Sequence, residues 1–193
     1  MNKPKDYQIA LNQEQVSELW KAGQIDGFQF MRIAAWKSAK ALGEITLNSE
    51  REFEIRTKVL FEAIAPWTET NVINQPIDWD HWQETAAQAI GSKKLGTGLL
   101  GLRGVGYPMA TAVLSTLLPN VFPVLDKWAI VGLYGETEKS AASIKWHKSA
   151  VYRKYAFDIA TSTKPDLLST TCIHYRDQIL MNTARPTNPV GNK

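Results

Sequence analysis

A glycine-rich turn that leads into an apolar helix constrains the fold of this 193-residue chain more than any other stretch. The segment 99–126 reads LLGLRGVGYPMATAVLSTLLPNVFPVLD. Gly104 and Gly106 have no Cβ, which allows positive φ and lets a partner approach the backbone closely. Pro108 is typical of the first turn of a helix. Amide groups at such a turn and helix start favour an anion, most often a phosphate.

A single carboxylate follows the apolar helix. One stripe of that helix is predicted to be buried and consists of Ala110, Val113, Leu114, Leu117 and Leu118. An extended loop over 121–125 then leads to Asp126, immediately before a predicted helix at 127–133. Asp126 is either a candidate reactive group or an ordinary helix N-cap. For the turn, we favour phosphate binding over a plain glycine-containing loop between two helices.

The rest of the chain predicts successive helices, so the fold class is all-α. The predicted N-caps are Asn12, Asp26, Ser49 and Asp78. Two further helices are predicted over 140–161 and from Pro165 onward. In the second helix the predicted buried face consists of Phe28, Met31, Ala35 and Leu42, and in the last helix of Leu168, Cys172, Tyr175 and Ile179. Residues 1–181 are predicted to form one unit, and residues 182–193 a disordered tail.

Composition excludes several classes of protein. No run approaches the eighteen apolar residues of a membrane span, and residues 1–12 lack the apolar segment of a secretory signal. The lone Cys172 forms no internal disulfide and fits a reducing cytoplasm. The net charge of +3 permits a local nucleic-acid-binding patch. The three histidines lack metal-ligand spacing and are predicted to be surface or partly buried residues: His81, His147 and His174.

The segment 94–134 resembles the helix-hairpin-helix DNA glycosylases. In that family the hairpin reads L-P-G-V-G, where this chain has L-R-G-V-G over 102–106. The family's catalytic aspartate follows at the same spacing as that between Gly106 and Asp126. The hairpin motif therefore covers 94–126. The resemblance implies a fold of the 8-oxoguanine glycosylase type, with two helical lobes and a cleft between them.

Three departures from the family pattern refine this expectation. Bifunctional members carry a Schiff-base lysine at the position of Pro108, so the chain resembles the monofunctional members, which leave the DNA backbone intact. Arg103 replaces the usual proline and could add a phosphate contact. Lys127 and Trp128 stand where the family often has a small residue and a histidine. An iron–sulfur cluster is excluded because the chain has one cysteine.

The resemblance also implies a set of site residues. The catalytic carboxylate would be Asp126, which would stabilise the oxocarbenium character of the sugar. The DNA-binding residues would be Lys93, Lys94, Arg103, Gly104, Val105, Gly106, Tyr107 and Lys127. An extruded base would stack in a pocket formed by Trp36, Trp128 and Tyr155. In the family, hairpin carbonyls hold a monovalent cation, Na⁺ or K⁺, and by position these carbonyls belong to Leu100, Leu102 and Val105.

The resulting expectation is a monofunctional DNA glycosylase that excises a damaged or modified base. Its partner would be DNA, and it would act as a monomer in the cytoplasm, associated with the nucleoid. The alternatives are a non-catalytic helix-hairpin-helix DNA-binding module and a helical protein–protein adaptor. The base itself stays open among oxidised purines, alkylated bases, deaminated bases and the modified bases of viral DNA. The last would imply phage defence rather than DNA repair.

Overall fold

The computed structural model describes residues 10–143 and 149–185, and all regular structure in these ranges is helical. The all-α prediction is therefore confirmed for the described part of the chain. In chain order the helices are α1 (Gln13–Ala22), α2 (Gly27–Lys37), α3 (Leu42–Ile45), α4 (Glu50–Ile64), α5 (Trp79–Ile90), α6 (Tyr107–Leu117), α7 (Lys127–Tyr134), α8 (Glu138–Ser143), α9 (Ser149–Ala160) and α10 (Ile173–Ala184). Short 3₁₀ helices lie at Ala39–Ala41, Ala65–Trp67, Leu99–Gly101 and Pro165–Ser169.

The helices begin where the sequence predicts N-caps. Asn12 and Ser49 each form a capping box with the residue three positions later. The side chain of Asp26 accepts a hydrogen bond from the Gln29 N–H at 2.7 Å. Asp78 accepts bonds from two backbone N–H groups in the first turn of α5. Such caps depend on residues within one turn, which makes them predictable from sequence.

The most buried helix is α6, the one that follows the hairpin. Every residue from Met109 to Leu117 is buried, and so is Leu118, the last residue of the predicted apolar stripe. Helix α6 packs against α2 and α5, while α10 packs along α7 and α9 packs against α5. At the α7–α10 contact, a Cβ on Gly132 would lie 2.5 Å from the Leu180 carbonyl oxygen. Helix α6 and the helices that pack around it therefore share one hydrophobic core.

The predicted face of the second helix is only partly confirmed. Met31 and Leu42 pack against the core, but Phe28 is 66% exposed and Ala35 is exposed. The buried residues of α2 are instead Phe30, Ile33 and Ala34. Helix α2 also ends at Lys37, so that Leu42 belongs to α3. Both faces of this stretch carry apolar residues, so the local pattern did not determine which of them meets the core.

The predicted last helix is also placed incorrectly. Pro165 opens a 3₁₀ turn, and α10 begins only at Ile173, which leaves Leu168 61% exposed. Helix α10 continues to Ala184, so the predicted boundary of a tail at Asn182 falls too early; residues 186–193 lie outside the described ranges. Of the predicted helix over 140–161, α8 and α9 are described, and residues 144–148, with His147, are not.

Candidate functional site

The hairpin between the 3₁₀ helix Leu99–Gly101 and α6 depends on Gly104. Its φ is +74°, in the left-handed region that favours glycine. A Cβ at this position would lie 2.9 Å from Cβ of Glu44 and 2.9 Å from Cγ1 of Ile45. The hairpin therefore rests directly on α3, and both backbone conformation and packing require glycine here.

Gly106 differs from Gly104 in both respects. Its φ is −108°, and a Cβ would meet only Cδ of Pro108, at 3.9 Å. Gly106 is exposed and is the N-cap of α6, and its carbonyl accepts the N–H groups of Met109 and Ala110. Within the described ranges, the amides of Gly104, Gly106 and Tyr107 have no hydrogen-bond acceptor. The fold therefore leaves the backbone at Gly106 open to an approaching group.

Asn48 also holds the hairpin, through hydrogen bonds to its backbone. Its Oδ1 accepts the Arg103 N–H at 2.8 Å, while its Nδ2 donates to the carbonyls of Arg103 at 3.1 Å and Ile45 at 2.8 Å. The side chain is buried. Asn48 thus ties both backbone polar groups of Arg103 to the end of α3. This role of Asn48 was not predictable from the sequence, because the contact joins residues 55 positions apart.

Replacing Asn48 with alanine is expected to loosen the hairpin. The change leaves the amide and the carbonyl of Arg103 without their partner, at a cost of about 2 kcal/mol in the free energy of unfolding, while the Ile45 carbonyl keeps the backbone N–H of residue 48. Urea unfolding would measure this loss, and a DNA-binding titration would show weaker binding. The control is Asn74→Ala, in the exposed loop before α5. Equal stability of the two variants would contradict the proposed role of Asn48.

The predicted DNA-binding cations are exposed around the hairpin. Arg103 lies in the hairpin itself, and Lys93 and Lys94 lie in the loop before it. The Val105 side chain is buried, so this residue offers only its backbone. Lys127 is exposed beside Asp126, with its Nζ 4.7 Å from the centre of the Trp128 ring. The hairpin thus combines open amides with positive charge.

The loop that leads to Asp126 is fixed by side chains from two helices, α6 and α9. The Tyr152 hydroxyl on α9 donates to the Pro123 carbonyl at 2.7 Å, and the Tyr155 hydroxyl lies 3.3 Å from the Val124 carbonyl. Thr111 Oγ1 on α6 accepts the Leu125 N–H at 2.9 Å. Because these bonds fix the backbone of residues 123–125, the Asp126 carboxylate that follows them has a fixed position.

Asp126 forms an ion pair with Lys37, at the end of α2. Asp126 Oδ2 lies 2.8 Å from Lys37 Nζ, and Oδ1 accepts the Trp128 N–H at 2.8 Å. The side chains are 20% and 12% exposed, respectively. Burial alone would raise the pKa of Asp126, but Lys37, the Trp128 N–H and the charge of Arg185 hold it below its ordinary value. Asp126 is therefore an ionised, partly exposed carboxylate.

The three aromatic residues predicted to bind a base lie in different environments. Trp36 is half-buried next to Lys37, with its ring centre 6.1 Å from that of His174, and Trp128 is half-buried next to Asp126. Tyr155 is fully buried. The prediction that Tyr155 stacks on a base is therefore corrected, since a core tyrosine offers no ring face. Along the chain, Trp36 and Trp128 thus lie within two residues of Lys37 and Asp126, respectively.

A second carboxyl group, Asp177 on α10, lies behind the Asp126 loop. It is buried and is hydrogen-bonded to the Tyr155 hydroxyl and to the Val124 backbone. Burial raises the pKa of Asp177 to about 8, the Tyr155 bond and Lys37 oppose the rise, and Asp126 adds to it. The site therefore contains an ionised carboxylate, Asp126, and a neutral carboxylic acid, Asp177. The two groups differ in protonation because their environments differ.

Asp177 is expected to make the stability of the protein fall as pH rises. Because its pKa is about 8 when folded and near 3.8 when unfolded, the folded state keeps a proton that the unfolded chain releases between these values. The Tm of the protein, relative to that of Asp177→Asn, is expected to fall by about 3 °C per pH unit from pH 5 to pH 8. Calorimetry measures it, with exposed Asp166→Asn as control. Parallel pH profiles for the protein and Asp177→Asn would refute the assignment.

His174 is a buried core histidine rather than a surface residue, which corrects the sequence prediction. Its side chain is 4% exposed, and its ring nitrogens lie 2.8 Å from Ser115 Oγ and 2.8 Å from Gln178 Nε2. Burial lowers its pKa to about 4, with a further contribution from Lys37. Ser115 Oγ and the Gln178 amide thus occupy both ring nitrogens of this neutral imidazole.

Lys37 and Asp177 were likewise not predicted from the sequence. They lie 89 and 51 positions from Asp126, and no local spacing connects them with it. Two cavities of about 320 and 500 Å³ lie elsewhere, against Trp20 and Pro119 and against Trp79 and Phe157. Residues 10–143 and 149–185 contain no group of three His, Cys, Asp or Glu side chains that could bind a metal ion.

Comparison with known proteins does not assign the chain to a family. No protein-family model matches it, and no curated protein or solved structure matches it with significant similarity. None of the helices in the described ranges has both the length and the hydrophobicity that a bilayer span requires.

Proposed function

We propose that this protein is a monofunctional DNA glycosylase that removes a damaged or modified base, with Asp126 as the catalytic carboxylate. The observation that carries this proposal is the state of Asp126. Its carboxylate is ionised and partly exposed, and it follows a loop whose backbone is fixed by hydrogen bonds. The protein would act on DNA as a monomer, in the cytoplasm and in association with the nucleoid.

The hairpin would hold the DNA strand by its phosphates. The amides of Gly106 and Tyr107 lie at the N-terminus of α6, where backbone N–H groups and the helix dipole favour an anion. Arg103, Lys93 and Lys94 would add charge to this contact. A monovalent Na⁺ or K⁺ ion at the carbonyl oxygens of Leu100, Leu102 and Val105, the positions that the resemblance implies, would add positive charge beside the phosphate, since hard cations prefer oxygen ligands.

A glycosylase must extrude its target nucleotide, because the glycosidic bond is inaccessible in the duplex. We propose that the nucleotide enters a cleft between two helical lobes, beside the Asp126–Lys37 pair, where Trp36 and Trp128 would contact the base. As the bond breaks, the sugar gains positive charge, and the Asp126 carboxylate stabilises it electrostatically. The carboxylate also orients the attacking water. Lys37 keeps Asp126 ionised before the substrate arrives.

The test is a panel of duplexes that each carry one modified base. After incubation with the protein, hot alkali cleaves the strand at abasic sites. We expect cleavage of at least one duplex after alkali and an intact strand before it, because Pro108 replaces the Schiff-base lysine. If the folded protein leaves every duplex resistant to alkali, the panel argues against the proposal.

A second candidate is a non-catalytic DNA-binding module that uses the same hairpin. The observation in its favour is that Asp126 has two structural contacts, as N-cap of α7 and as partner of Lys37. This module would bind DNA with the strong salt dependence of phosphate contacts and would release no base. A protein–protein adaptor, in contrast, would show no salt-dependent DNA affinity.

A further inference from the structure

Helix α4 places a guanidinium group against the segment that leads into the hairpin. A Cβ on Gly101, in the 3₁₀ helix before the hairpin, would lie 2.9 Å from Nε of Arg56. Because Gly101 has no side chain, the Arg56 guanidinium can lie directly beside the backbone of this turn. Arg56 is half-buried, whereas Arg51 and Lys58 on the same helix are exposed. The fold thus brings Arg56 of α4 to the hairpin segment.

The carboxylate one helical turn before Arg56 is engaged elsewhere. Glu52 Oε2 accepts the Ser49 N–H at 2.7 Å and the Ser49 hydroxyl at 2.8 Å, as part of the capping box of α4. These hydrogen bonds, and to a lesser extent the charges of Arg103 and Arg56, hold the pKa of Glu52 below its ordinary value. Arg103 of the hairpin and Arg56 of α4 therefore act on the same carboxylate, whose side chain is committed to the helix cap.

Arg56 is a partly buried charge without an anionic partner. In the described ranges, neither its guanidinium group nor that of Arg103 has an ion-pair or hydrogen-bond partner. A charge that loses part of its hydration is ordinarily paired with an opposite charge. The nearby hairpin also has open backbone amides. Two unpaired guanidinium groups and these amides together favour an anion.

We propose that Arg56, together with Arg103, binds a phosphate of the DNA strand next to the phosphate held at the hairpin amides. The planar fork of N–H donors in arginine matches the oxygens of a phosphate group. Such a phosphate would supply the anion that the half-buried Arg56 lacks. The inference rests on the DNA-binding part of the proposed function, and it extends the DNA contact from the hairpin to α4.

The test is the salt dependence of DNA affinity for Arg56→Gln and Arg51→Gln. Arg51 is the matched control, because it lies on the same helix and the helical period puts it on a different face. Titration of a short fluorescein-labelled duplex at several salt concentrations measures each Kd. We expect Arg56→Gln to bind about tenfold more weakly and to lower the slope of log affinity against log salt by about 0.9. Arg51→Gln should match the original protein in both quantities.

Two further variants separate phosphate binding from a structural role of Arg56. Arg56→Lys keeps the charge and should keep the salt slope, and a slope as low as that of Arg56→Gln would overturn the inference. Glu52→Gln keeps the capping box, because glutamine also serves at this position, and removes the negative charge near both arginines. We expect this variant to bind DNA about threefold more tightly. Unchanged affinity would contradict a phosphate site beside Glu52.

The outcomes distinguish this inference from the proposed function. Equal salt slopes for Arg56→Gln and Arg51→Gln, while the protein excises a base, overturn the role of Arg56 alone. A slope that depends on Arg56, without excision of any base from the panel of duplexes, overturns the glycosylase proposal alone. A folded protein that binds no DNA at any salt concentration overturns both.

Discussion

Asp126→Asn is expected to lower the rate of base release about 10²- to 10³-fold, with the fold and DNA affinity preserved. The asparagine oxygen can still accept the Trp128 N–H, so the cap of α7 is kept. What is lost is the negative charge that would stabilise the sugar in the transition state and that pairs with Lys37. Single-turnover kinetics on the cleaved duplex, together with a binding titration, measure the two effects separately.

The matched control for this variant is Asp78→Asn. Asp78 is also an aspartate N-cap and accepts two backbone N–H groups at the start of α5. Both changes remove a charge from a cap, but only Asp126 is placed at the proposed active site. If Asp126→Asn and Asp78→Asn release the base equally fast, Asp126 is merely a cap and the non-catalytic module is the better account.

Gly104→Ala is expected to reduce the free energy of unfolding by about 3 kcal/mol. An alanine at φ +74° is strained, and its Cβ would overlap Glu44 and Ile45 at 2.9 Å. Neither neighbour can withdraw easily, because the atoms involved lie near the α3 backbone. Urea unfolding measures the loss.

Gly106→Ala is the control for Gly104→Ala, because the methyl group enters open space at an ordinary φ. We expect its stability to stay within about 0.5 kcal/mol of that of the original protein. Its DNA affinity should nevertheless fall, since the methyl group blocks close approach of a phosphate. Equal destabilisation by both alanines would contradict the distinct roles assigned to the two glycines.

The sequence predicted those features that depend on neighbours along the chain. The capping boxes at Asn12 and Ser49, the glycine turn and the burial of α6 are each determined within a few residues. The position of Asp126 at the start of α7 was predicted for the same reason.

Features that depend on packing between distant segments were not predictable. The ion pair of Lys37 with Asp126 requires the end of α2 to meet the start of α7. The burial of Tyr155 and His174 depends on how α9 and α10 pack around the Asp126 loop. Similarly, α2 has two apolar faces, and its contacts with α6 and α4 select the buried one.

The most direct test of the central claim is release of a free base from DNA of mixed composition. DNA that has been alkylated, oxidised or deaminated, or that carries modified viral bases, is incubated with the protein and with Asp126→Asn. Mass spectrometry then analyses the low-molecular-weight fraction. The account predicts one class of free base with the protein and almost none with the variant. It is contradicted if the folded, DNA-bound protein releases no base, or if the variant releases as much.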